Sequence, residues 1–164
     1  MEFIRGALEE QGFSGFVPLK ASDADEVPAA AGIYLVYRPA VTFPVFLPVS
    51  GAGHFKGKDP SVSTSALEAA WVAGAQVIYI GKAGLRKSGK GGLRRRIGEY
   101  RRFGAGEPIG HWGGRYVWQL ADNSDLLVAW RVTAATEDPG AAESALIEQF
   151  VARYSALPFA NLRR

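Results

Sequence analysis

Ala31-Gly32-Ile33-Tyr34-Leu35-Val36-Tyr37 is an unbroken apolar and aromatic run stopped by Pro39, the pattern of a buried strand. Val77-Ile78-Tyr79-Ile80, closed by Gly81, and Leu126–Val132 repeat that pattern. Weaker runs at Phe16–Leu19, Val45–Leu47 and Arg115–Leu120 predict shorter strands. Helical spacing is found elsewhere. Leu93, Ile97 and Tyr100 recur at i, i+4, i+7 and predict a helix from about Leu93, with Gly104 as its stop. Asp138-Pro139 has the N-cap and N1 chemistry of a helix start, and that helix should run to about Tyr154. Two shorter helices are expected, over Glu2–Gln11 ended by Gly12, and from a Thr64 or Ser65 cap to about Val72.

Between these elements lie three kinds of connection. Ala21–Pro28 is acidic and turn-rich, and Ala121-Asp122-Asn123-Ser124 is a turn. Lys82–Gly92 holds four glycines and reads as a surface loop. Residues 39–75, with four prolines, form an insertion between two paired strands, too long to lack structure of its own. The prediction is one α+β domain over residues 1–164. It has a small, mainly antiparallel sheet of Gly32–Tyr37, Val77–Ile80 and Leu126–Val132, flanked by helices, with residues 1–30 as an N-terminal extension.

Composition narrows the class. A chain of 164 residues with 48% apolar and 21% charged residues can bury a core. It has no cysteine, which removes disulfides and thiolate metal sites, and its two histidines, His54 and His111, cannot build a multi-histidine centre. With no signal peptide and no membrane-length apolar run, a soluble cytoplasmic protein with no membrane partner is expected. Charge is unevenly placed. Lys82, Arg86, Lys87, Lys90, Arg94, Arg95, Arg96, Arg101 and Arg102 face a single acid, Glu99, within 21 residues, whereas the remainder carries ten cations and fifteen acids. A concentrated basic patch is the footprint of phosphate binding; most charge runs are solvated helix faces, but three consecutive arginines after a glycine-rich loop favour a polyanion partner.

Gly32-Ile33-Tyr34 followed by Tyr79-Ile80-Gly81 resembles the signature of the GIY-YIG nuclease superfamily, which includes homing endonucleases, restriction enzymes and the N-terminal incision domain of UvrC. Three further elements follow in the family's order. Leu93-x-x-Arg96-Ile97-x-x-Tyr100 is similar to its arginine helix, Glu143-x-x-Leu146-Ile147-x-x-Phe150 to its carboxylate helix, and Pro158-x-x-Asn161 to its terminal asparagine. Tyr79–Ala83 is similar to the YVGKA run of the incision domain. The departures are 44 residues between Tyr34 and Tyr79, a long Lys82–Gly92 loop and extra residues before Pro158.

The resemblance implies a metal-dependent endonuclease acting on nucleic acid, DNA foremost, in repair or restriction. Glu143 would hold one divalent ion, Mg2+ or Mn2+. Arg96 would fork onto a phosphate oxygen, and Tyr79 or Tyr34 would orient or deprotonate the attacking water, with Lys82 and Arg96 lowering the tyrosine pKa. Asn161 would support the site. The other eight cations of the basic window, Lys82, Arg86, Lys87, Lys90, Arg94, Arg95, Arg101 and Arg102, would bind the backbone. The alternative is a nucleic-acid-binding module that keeps the fold without chemistry. Each residue also has a plainer role. Tyr34 and Tyr79 suit a strand core, Arg96 a solvated face, and Asn161 a turn. His111 reads as structural or as a DNA contact, and Trp112, Arg115, Tyr116 and Trp118 as core packing or a stacking surface. Glu148 competes with Glu143 for the metal. At 100° per residue Glu143 falls about 15° from the centre of the apolar stripe of its helix and Glu148 about 130° away. The inward carboxylate needs a cation or metal to meet it.

Overall fold

The computed structural model describes residues 1–21 and 24–163. Its sheet has four antiparallel strands in the order β1-β4-β2-β3: β1 (Ser14–Pro18), β2 (Gly32–Tyr37), β3 (Val77–Ala83) and β4 (Leu127–Val132). Helices cover both faces. On one lie α1 (Arg5–Glu10) and α4 (Pro139–Tyr154); on the other lie α3 (Gly92–Gly104) and a 3-10 helix over Trp112–Gln119. The expected α+β architecture is what the chain adopts. The sheet gains a strand from the N-terminal extension, because β1 pairs along the open edge of β4.

Period-two alternation divides the core. Ile33, Leu35, Tyr37 and Ala129 face α4, and Tyr34, Val36, Val128 and Trp130 face α3. A bulge breaks the alternation on β3. Val36 pairs with Tyr79 and Tyr37 with Val77, so Ile78 is an extra residue, and Ile78 and Tyr79 both reach the α3 side. The bulge is what aims Tyr79 at the face that holds Tyr34.

Several predicted boundaries shift. β3 continues past Gly81 through Lys82 to Ala83. Gly81 stands opposite Tyr34, and a Cβ there would lie 2.6 Å from Tyr34 Cζ, so the glycine is clearance for a ring and not a strand stop. The remaining loop is a closed turn in which Arg86 N–H donates to Lys90 O at 2.7 Å and Gly89 N–H to Arg86 O. Of the predicted strand Arg115–Leu120, residues 115–119 belong instead to the 3-10 helix and only Leu120 is extended. Val45–Leu47 keeps one bridge, Phe46 to Leu120, and the cap of α2 (Thr64–Ala70) is Ser63, whose side chain accepts from Ala66 N–H. Of the acidic segment Ala21–Pro28, Ser22 and Asp23 lie outside the described residues, and Ala24–Glu26 is a 3-10 turn.

The insertion is tied down by two buried polar residues. Gln119 donates to Leu47 O and Val62 O and accepts from Val62 N–H. Arg38 pairs with Asp122 at 2.8 Å and donates to Ala40 O and Thr42 O. Among the described residues no helix is long and apolar enough to cross a membrane.

Candidate active site

β3 is an edge strand, and the site wraps around that edge. The segment Phe159-Ala160-Asn161 covers part of it. Ala160 N–H donates to Ile78 O, and the Asn161 carboxamide accepts from Ile80 N–H at 2.9 Å and donates to Ile80 O at 2.8 Å. The side chain of Asn161 thus stands where a neighbouring strand would. Beyond it, Lys82 projects from the uncovered end of β3.

α4 brings Glu143 to this edge from the opposite layer. Its start is set by Asp138, whose carboxylate accepts from Ala141 N–H at 2.8 Å, and by Pro139 in the first turn. Leu146, Ile147 and Phe150 are buried against the sheet, which leaves Glu143 half-buried and Glu148 exposed. The cation that an inward carboxylate requires is present: Lys82 Nζ lies 3.3 Å from Glu143 Oε2. Glu143, Lys82, Tyr79, Asn161, Trp112 and Arg163 line one cleft of about 680 Å³.

A second cleft, of about 430 Å³, adjoins the first at Lys82 and takes in Arg95, Arg96, Gly92 and the first turn of α4. Leu93, Ile97, Tyr100 and Phe103 bury the inner face of α3, and Arg96 emerges on its flank. Its Nη1 donates to Glu99 Oε2 at 3.0 Å and to Gly110 O at 2.8 Å, fixing the guanidinium while about 31% of the side chain stays exposed. Arg95 shares Glu99 and is more open.

Beneath the clefts is an aromatic floor. Tyr34 is fully buried and its hydroxyl lies 2.6 Å from His111 Nε2. His111, also fully buried, stacks on Tyr100 at 3.6 Å with rings nearly parallel, and Tyr100 donates its hydroxyl proton to Gly114 O. His111 Nδ1 has no hydrogen-bond partner among the described residues. Burial, then the Arg96 charge, holds the His111 pKa well below 6.5, so the ring is neutral.

The expectation of an acidified tyrosine is corrected here. Burial raises the Tyr34 pKa well above 10 and that of Tyr79 above 10, and the lowering influence of Arg96 is the smaller effect on each. Lys82 pairs with Glu143 rather than with either tyrosine. Tyr79, 8% exposed, borders the cleft, and Tyr34 lies behind it with ring centroids 6.0 Å apart.

The structure therefore brings Tyr34, Tyr79, Lys82, Arg96, Glu143 and Asn161 into one neighbourhood. The basic window is not gathered so tightly. Arg86, Lys87 and Lys90 ride the exposed turn after β3. Arg94 donates its Nε–H to Val27 O. Arg101 and Arg102 occupy the last turn of α3, where cations complement the helix dipole, and line neither cleft. His111, read from the sequence as structural or as a DNA contact, is buried and bonds Tyr34; that pairing spans 77 positions and leaves no local signal. No protein-family model, curated protein or solved structure matches the chain.

Proposed function

We propose that the chain is a metal-dependent endonuclease of the GIY-YIG type that hydrolyses DNA phosphodiester bonds. The observation that carries this reading is the meeting of the two clefts at Lys82, with a carboxylate, a hydroxyl and a guanidinium converging from three different elements. A phosphate seated there faces Arg96 and Lys82, which neutralise its oxygens as negative charge grows in the transition state. Tyr79 is the hydroxyl nearest the cleft. With its pKa raised by burial it is protonated at rest, and it serves first as the hydrogen-bonding group that aligns an attacking water. Tyr34, fixed by His111, holds Tyr79 in place from behind.

Glu143 is the residue suited to a metal. Among the described residues no three His, Asp or Glu side chains form a group able to hold an ion alone. A single half-buried carboxylate on an open cleft instead fits an ion of the Mg2+ type, which keeps several waters and is completed by substrate phosphate. Such an ion, when bound, stabilises charge on the scissile phosphate and the leaving oxygen.

The test is nicking of supercoiled plasmid with Mg2+ or Mn2+ against an EDTA control. It is extended to duplex, branched and single-stranded oligonucleotides. Metal-dependent nicks support the reading. DNA binding without cleavage under either metal would leave a binding module in its place.

A further inference from the structure

Trp112 stands apart from the other three tryptophans. Trp118 and Trp130 are buried, and Trp71 is enclosed by Phe43, Phe46 and Phe159. Trp112 is half-buried, packs in part against the α3-side core, forms no ring–ring pair among the described residues, and borders the cleft that holds Tyr79, Lys82 and Glu143. It also meets a cation. The Arg115 guanidinium lies over the indole at 4.7 Å from its centroid, also lies 5.5 Å from the Tyr116 ring centroid, and donates to Trp112 O at 3.2 Å. Arg115 and the core contact together support the indole at the cleft wall.

We infer that Trp112 is the stacking platform for an unpaired base next to the scissile phosphate, so that the preferred substrate of this site carries an unstacked nucleotide. The inference rests on the nuclease reading and adds its substrate class. A flat aromatic wall beside cations that track a backbone is the chemistry by which single strands are gripped. It cannot be used by a base still enclosed in a regular duplex. Gly113 suits the same role. It is exposed beside Trp112 at the cleft lip, and a Cβ placed there would meet nothing within 4 Å, so the lip next to the indole is uncrowded. Arg115 backs the ring and supplies no platform of its own.

The experiment compares two 30-base-pair duplexes, one perfect and one with a two-nucleotide bulge, in binding by fluorescence anisotropy without metal and in cleavage with Mn2+. Trp112→Ala and Trp112→Phe are tested beside the unmodified protein. The unmodified protein should favour the bulged duplex. Trp112→Ala should weaken that complex by roughly ten-fold or more while leaving perfect-duplex affinity unchanged, and Trp112→Phe should retain most of the preference. 2-Aminopurine placed in the bulge should be quenched by the unmodified protein and not by Trp112→Ala. A variant that binds perfect duplex normally is folded, so the comparison does not depend on stability alone. Equal discrimination by all three proteins, or no quenching by the unmodified one, would overturn the inference while leaving a nuclease. Absence of any nucleic-acid binding or cleavage would instead remove the reading beneath it.

Discussion

At the scale of single residues, the proposed nuclease separates groups that bind from groups that act. Arg95 and Arg96 are neighbours, both paired with Glu99, yet only Arg96 is also held by Gly110 O. Arg96→Ala should retain DNA affinity to within one phosphate contact and lose roughly 10²-fold or more in cleavage rate, whereas Arg95→Ala should cut nearly normally. Gel-shift and nicking assays on the same preparations check this. Glu143→Gln should abolish cleavage and Mn2+ binding measured by calorimetry, and Glu148→Gln, on the exposed face, should be silent in both. His111 adds a pH dependence. Its folded pKa lies well below the unfolded value near 6.5, so below that pH the unfolded chain takes up a proton that the folded chain refuses. Stability should therefore be intact above pH 6.5 and fall by up to about 1.4 kcal/mol per pH unit beneath it, down to the folded pKa. Urea melts at pH 7.5 and 5.0 should show that loss, and His111→Gln should lack its share of it.

At the scale of elements, the helices and the glycines that end them, Gly12 and Gly104, were readable, and Gly81 was not. The stripes of α3 and α4 and the Asp138-Pro139 start are local signals, and the structure keeps their boundaries and the inward placement of Glu143. Gly81 and Arg115–Leu120 misled for a shared reason. A glycine in an apolar run looks like a terminator, and a short alternating run looks like a strand, because in each case the deciding neighbour is distant in sequence. Gly81 answers to the Tyr34 ring, and the segment after Trp112 answers to Tyr100, whose hydroxyl bonds Gly114 O. Gly81→Ala should accordingly cost about 1–3 kcal/mol in denaturant melts and depress cleavage further than that loss explains, since the added methyl displaces Tyr34. Asp138→Ala should cost about 1 kcal/mol by removing the cap of α4. That would loosen the turn that presents Glu143, which a rise in the Mn2+ needed for half-maximal nicking would register.

At the scale of the molecule, residues 82–102 hold nine cations and one acid, and the rest of the chain carries ten cations and fifteen acids. DNA affinity should fall steeply with salt, and Arg95→Ala, on the cleft, should lower the log–log slope by roughly one. Arg102→Ala, two turns away on α3 and 3.9 Å from Glu107, should leave that slope unaltered. The cover over β3 has a consequence of another kind. Ile78 and Ile80 turn their peptide groups outward on an edge strand that begins with four consecutive apolar or aromatic residues, the arrangement by which chains add to one another into fibres. Asn161 blocks that route with a single carboxamide. Asn161→Ala would bare both Ile80 groups at once, so its first symptom should be concentration-dependent self-association in light scattering, ahead of any change in cleavage. Asn161, with Ala160 N–H on Ile78 O, thus keeps the edge strand solitary in its pairing.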